Sequence, residues 1–159
     1  KLEPNTLYSK SKLNDENLLK NKIKKNKLII LRLPGVYGKN LISIIDNLRK
    51  DILKNKDIKI FNDGINYRDY LNIKDLSKIT LILIKLDIHG TYNVSTGKSF
   101  MIKNIINYMI KKYNSKSKTI YDYRSDLPNY DSFISNKKLI DKLHNYKFIN
   151  IKAGLNKYY

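Results

Sequence analysis

The chain has 159 residues, 42% hydrophobic and 29% charged, with a formal net charge of +18 and no cysteine. That length supports one domain with a real core, since a chain of this size buries roughly two-thirds of the surface it exposes when unfolded. Disorder, a disulfide framework, thiolate metal sites and thiol nucleophiles are excluded, and a reducing compartment is permitted.

In chain order, Pro4 and Asn5 start a helix over residues 7–25, with Leu19 and Ile23 one turn apart. Residues 28–33 are apolar except for Arg32 and do not alternate, which predicts a strand buried on both faces. The breaker-rich run Pro34-Gly35-Val36-Tyr37-Gly38 reads as a loop where the carboxyl end of that strand opens into a ligand crevice. Leu41, Ile44, Ile45, Leu48 and Ile52 recur at helical spacing, so residues 41–54 form an amphipathic helix. Ile58 and Ile60 alternate with lysines in a half-buried strand, closed by the turn Asn62-Asp63-Gly64, and residues 67–73 return as a second short strand. Asp75 caps an apolar helix over residues 76–86 that Gly90 stops, with His89 at its terminus.

Residues 91–94 form a further strand and residues 96–99 a turn, with Ser99 capping a helix over residues 100–113. Its stripe of Ile102, Ile105, Ile106, Met109 and Ile110 assigns the methionine to the core. Residues 116–118 link to a last strand at 119–123, and a short helix spans 135–143. There is no internal repeat. Helices alternating with short buried strands make an α/β fold.

No run of about 18 apolar residues occurs, the longest candidate being residues 79–84, so a transmembrane helix is not expected. His89 and His144 lie far apart, so no metal site is expected. The chain starts at Lys1 without a charged-then-apolar leader, which argues against a signal peptide and for a natural start further upstream. The charge would suit nucleic acid or an anionic membrane. The basic residues, however, are spread along the chain rather than gathered in one arginine-rich stripe, and Ala153 is the only alanine. Drift of AT-rich codons into tolerant surface positions accounts for that pattern, so neither partner is expected.

Tyr8-Ser9-Lys10-Ser11-Lys12 places a phenol and an ammonium at i and i+4 on one helix face. A fixed cation favours the phenolate, and a phenol so poised can take a proton from an alcohol. Spacing alone is weak, since among 13 tyrosines chance supplies about two such pairs, and Tyr70/Lys74 and Tyr108/Lys112 also occur. Those two read as surface pairs.

The order of the segments is more specific. Glu3-Pro4 to Tyr8-Ser9-Lys10-Ser11-Lys12 with Glu16 comes first, followed by Leu31-Arg32-Leu33-Pro34-Gly35-Val36-Tyr37-Gly38. Gly64 to Tyr67-Arg68-Asp69-Tyr70 with Asp75 comes next, then Gly90-Thr91-Tyr92-Asn93-Val94. Together they resemble the carboxyl-terminal portion of an extended short-chain dehydrogenase/reductase, and within it the NAD-dependent epimerase/dehydratase family. The resemblance runs over most of residues 1–143.

It implies the carboxyl-terminal part of a Rossmann-type doubly wound sheet plus a small α/β substrate-binding region, with all of residues 1–159 in that one domain. The glycine-rich dinucleotide fingerprint is absent from these residues, so the resemblance places the amino-terminal dinucleotide-binding half outside them. Tyr8 would be the acid/base. Lys12 would tune it and hold the nicotinamide ribose. Pro34, Gly35 and Val36 would line the nicotinamide end of NAD or NADP through main-chain contacts, and Arg68 would clamp the diphosphate of a nucleotide-sugar substrate. The implied reaction oxidises a sugar hydroxyl and then epimerises, dehydrates or reduces the ketone, in a cytoplasmic enzyme expected to dimerise through the catalytic helix and its neighbour. A non-catalytic dinucleotide sensor or scaffold of the same fold, or a basic nucleic-acid-binding module, are the alternatives.

Other charged positions read as structural. Asp15 and Glu16 point roughly 100° apart on a helix and read as solvated carboxylates. Asp69 and Asp75 shape and cap a turn, Arg68 otherwise pairs with one of them, and Arg124 and Asp126 match the family's late arginine and aspartate loosely. Gly97-Lys98-Ser99 lacks the glycine that a phosphate loop needs five residues earlier, where Tyr92 stands.

Overall fold

A computed structural model describes residue 4 and residues 6–123 and 131–157; Arg124 and Asp126 lie outside the described residues. Helix α1 (Leu7–Lys22) begins at Leu7 as expected, with Thr6 as its N-cap; Asn5 lies outside the described residues. The Thr6 hydroxyl accepts the Ser9 amide at 3.1 Å while Ser9 Oγ accepts the Thr6 amide at 3.0 Å, a reciprocal cap that satisfies two donors at once. The helix ends three residues short of the sequence expectation, before a 3-10 turn at Lys25–Lys27.

Strand β1 (Ile29–Arg32) is half-buried along its length, not buried on both faces, because among the described residues its one partner strand is β5 (Gly90–Asn93), parallel in register from Ile29↔Gly90 to Arg32↔Asn93. Residues 34–38 do not form a simple loop. Gly35–Tyr37 is strand β2, parallel to β4 (Tyr67–Asn72), which also pairs antiparallel with β6 (Ser99–Met101). Gly35 lies opposite Tyr70, and a Cβ there would sit 3.1 Å from the Tyr70 ring. The glycine thus admits a neighbouring side chain.

Helix α2 (Ile44–Leu53) is capped by Ser43, and β3 (Ile58–Phe61) shows the expected alternation of buried and exposed positions. Asn62 and Gly64 both take positive φ, so the turn forms, yet β3 does not return on β4 and pairs instead in parallel with β7 (Thr119–Asp122). Helix α3 (Ile73–Lys85) is capped by Asn72, whose side-chain Oδ1 accepts the Lys74 amide at 2.9 Å. Asp75 is therefore not the cap but the third residue of the helix, in its first turn. The helix ends at Leu86, so Gly90 does not stop it and His89 does not cap it; the His89 carbonyl accepts the Tyr92 hydroxyl at 3.0 Å.

Residues 99–101 pair as β6, so Ser99 caps nothing and α4 (Ile102–Lys112) begins after Met101. Helices α5 (Lys137–Leu143) and α6 (Ile151–Lys157) complete the chain. The core has two clusters. One, around Ile52, Ile60, Ile106, Met109 and Leu155, joins α2, β3, α4 and α6; the other, around Leu71, Leu83, Tyr92, Val94 and Leu139, joins α3, β4, β5 and α5. Helix α1 belongs to neither, and leaves Leu7 87% and Leu18 52% exposed.

Candidate active site

Tyr8, Lys12 and Glu16 follow one another at four-residue steps along α1, and with Arg32 and Leu33 at the carboxyl end of β1 they line one open cavity of about 690 Å³. Leu13, Leu19, Ile30 and Leu31 supply much of its remaining apolar wall. The Lys12 ammonium lies 5.7 Å from the centre of the Tyr8 ring and 3.3 Å from Asp15 Oδ2, and Tyr8 is 74% exposed. The helical spacing thus brings a phenol and an ammonium together at the open end of a parallel strand.

Glu16 is not solvated. It is 8% exposed, and no other α1 residue is buried. Arg32 grips it with two forked bonds, Nε to Oε2 at 2.9 Å and Nη2 to Oε1 at 2.6 Å, and Lys20 adds a third at 2.5 Å. The Arg32 hydrogen bond holds the Glu16 carboxyl below its ordinary range, overcoming the burial that pushes it upward. A signal for this pair was present: Arg32 is the one charge in an apolar run, and a cation on such a strand needs a counterion.

Pro34 and Val36 are half-buried and Gly35 is exposed, at the start of β2 and just beyond the strand end that meets the cavity. None of the three lines that cavity. Arg68 is half-buried on β4, opposite Phe100, and its Nη1 donates to the Tyr67 carbonyl at 2.9 Å. Asp69, next to it, and Asp75, seven residues on, bond other segments. Asp69 accepts the Thr96 hydroxyl at 2.6 Å and the Thr96 amide at 2.8 Å, tying down the 96–99 turn. Asp75, 1% exposed, accepts the Tyr146 hydroxyl and the Ile149 amide, both at 2.8 Å, and so anchors the segment that leads into α6.

The other tyrosine–lysine pairs are separate from the cavity. Tyr70 is not a surface residue: it is 6% exposed, and burial pushes its phenol up to about 12. Tyr108 is half-buried and donates to Asn156 Oδ1 at 2.7 Å, while Lys112 bonds the Leu155 carbonyl, so this pair fastens α6 to α4. Among the described residues no helix is long and apolar enough to cross a membrane, and no group of three or more His, Asp or Glu could hold a metal ion.

Comparison with known proteins gives a consistent picture. The sequence model of the NAD dependent epimerase/dehydratase family matches residues 1–95. The chain is 37% identical over 109 residues to dTDP-D-glucose 4,6-dehydratase of Dictyostelium discoideum, a match covering 65% of this chain and 25% of that one. It is 26% identical over 144 residues to a putative UDP-glucose 4-epimerase of Methanocaldococcus jannaschii, covering 86% of this chain and 47% of the other. In structure it is similar to Thermus thermophilus UDP-glucose 4-epimerase solved with NAD, with a TM-score of 0.86 at 18% identity over 98% of this chain and 53% of that one. The chain therefore spans between a quarter and about half of the length of these relatives. Its α/β architecture, with parallel strands and helices, is that of Rossmann-type epimerases and dehydratases over about half of their length.

Proposed function

The chain belongs to the NAD-dependent epimerase/dehydratase family, and from that premise we propose that it carries the acid/base and substrate-facing residues of an NAD(P)-dependent enzyme acting on a nucleotide sugar. The observation that carries the reading is the cavity at the carboxyl end of β1, where Tyr8 and Lys12 stand one helical turn apart. Its residues suit the nicotinamide riboside end of a dinucleotide: a phenol and an ammonium for the ribose hydroxyls, and leucines for the flat ring. When bound, the nicotinamide supplies the hydride acceptor.

In this reading the Tyr8 oxygen takes the proton of a sugar hydroxyl as the carbon beneath it is oxidised, and returns a proton in the later step. Lys12 holds positive charge beside that oxygen and bonds the ribose. Pro34, Gly35 and Val36 approach the nicotinamide from the strand end through their main chain. Arg68, a planar charged fork on a strand, meets the substrate diphosphate. The enzyme works in the cytoplasm, in keeping with a chain that has no cysteine, and dimerises through α1 and its neighbour, in keeping with the exposed Leu7 and Leu18.

Tyr8→Phe tests the reading. It removes one oxygen from an exposed side chain, so the fold should stay as it is, while turnover of the nucleotide sugar should fall by about 10²–10⁴-fold. Undiminished turnover in Tyr8→Phe would show that the proton is carried elsewhere. A dinucleotide sensor of the same fold would keep its output in that variant.

A further inference from the structure

Helix α1 is held in an unusual way. It has 16 residues, and the one that it buries is a carboxylate. A helix this short is marginal by itself and normally takes its place from an apolar stripe packed on a core, but α1 joins neither apolar cluster. Leu13 and Ile23 are only half-buried, and Leu19 is 41% exposed. What meets β1 is Glu16, and Arg32 receives it at two points, 2.6 and 2.9 Å long. A two-point fork differs from a single contact in that it sets rotation as well as distance.

Glu16 lies one turn beyond Lys12 and two turns beyond Tyr8, on the side of the helix that faces the cavity. A rotation of α1 about its axis therefore sweeps the Tyr8 oxygen and the Lys12 ammonium past the strand end. We propose that Glu16 and Arg32 are positioning residues: their forked pair sets the rotation and height of α1 on β1, and so places Tyr8 and Lys12 for the reaction. The placement of these two groups as reacting partners rests on the function proposed above; the clamp on the helix does not. Lys20, on the same carboxylate at 2.5 Å, is 43% exposed and closes the outer side of the pair.

Two variants in the full protein separate the possibilities. Glu16→Gln keeps the shape and loses the charge, whereas Arg32→Lys keeps the charge and loses the fork. Hydrogen exchange of the α1 amides, measured without cofactor, should quicken at least about tenfold in both relative to α3 and α4. In the active enzyme kcat should fall about 10²-fold with KM for the sugar nucleotide unchanged, the signature of misplaced groups rather than lost binding. Faster α1 exchange in Glu16→Gln but not in Arg32→Lys would overturn the fork and leave only charge neutralisation. Unchanged exchange and unchanged kcat in both would overturn the clamp while leaving the Tyr8 reading intact. Should the unaltered protein turn over no nucleotide sugar, the functional reading fails, and the exchange result alone then decides whether α1 is clamped.

Discussion

Single side chains in this protein do work that their position in the sequence only half announces. Tyr70 is an example, sharing the tyrosine–lysine spacing of Tyr8 and Lys12 yet sitting 6% exposed against Gly35 rather than in the cavity. Burial moves its phenol from 10 to about 12, the Arg68 charge opposing the shift. A phenol that holds its proton more tightly when folded stabilises the fold fully below pH 10, and that contribution is lost as pH rises through about 12. Tyr146 is pushed up as well, by burial and by its bond to Asp75. Urea midpoints of the unaltered protein should therefore fall between pH 10 and 12, and Tyr70→Phe should flatten part of that fall. The helical spacing was enough to select three tyrosine–lysine pairs; which of them stands at the carboxyl end of β1 depended on the folded arrangement. Glu16 shows the reverse error: its neighbours on the helix made it look solvated, while its partner Arg32 lies 16 residues on.

Elements follow the same division. The amphipathic stripes of α2 and α4 were readable because burial on one side leaves a 3.6-residue period. Short segments were less so. β2 hid inside a run of breakers, β6 across the end of an expected turn and the start of an expected helix, and α6 was not expected at all. Each has few residues and takes its stability from a partner elsewhere, β2 from β4 and α6 from α4. The α6 contact is close enough to test. Gly154, in the middle of α6, faces the fully buried Tyr37, and a Cβ at that position would lie 2.9 Å from the ring carbon Cζ and closer still to the hydroxyl. An alanine in a helix is ordinarily preferred over glycine by about 1 kcal/mol. Here the Tyr37 ring has no exposed side to move toward, so Gly154→Ala should destabilise the protein by about 1–3 kcal/mol, the usual cost of overpacking. A lowered denaturant midpoint with an unchanged m-value is the expected measurement, and a raised midpoint would show that α6 can lift off its neighbour.

The whole molecule couples two well-packed clusters to a helix that lies outside both. Native-state hydrogen exchange should rank accordingly, with amides of α3 and α4 near the global unfolding free energy and those of α1 exchanging through a smaller local opening. Equal protection of α1 would mean that the Glu16–Arg32 pair alone holds it as firmly as a core. At this scale, too, parallel β1 pairs with one strand among the described residues, whereas parallel strands are ordinarily flanked on both sides. The matched relatives are about two to four times as long as the aligned stretch. Composition, periodicity and four ordered motifs were sufficient for the α/β class, the family and the tyrosine–lysine pair, because helical spacing and turn chemistry are local and leave their mark within a few residues. Strand pairing, the burial of Glu16, the roles of Asp69 and Asp75 and the seating of α6 on Tyr37 came from the folded arrangement. Those depend on partners between 16 and more than 100 residues away, and a contact at that distance leaves no period in the chain to read.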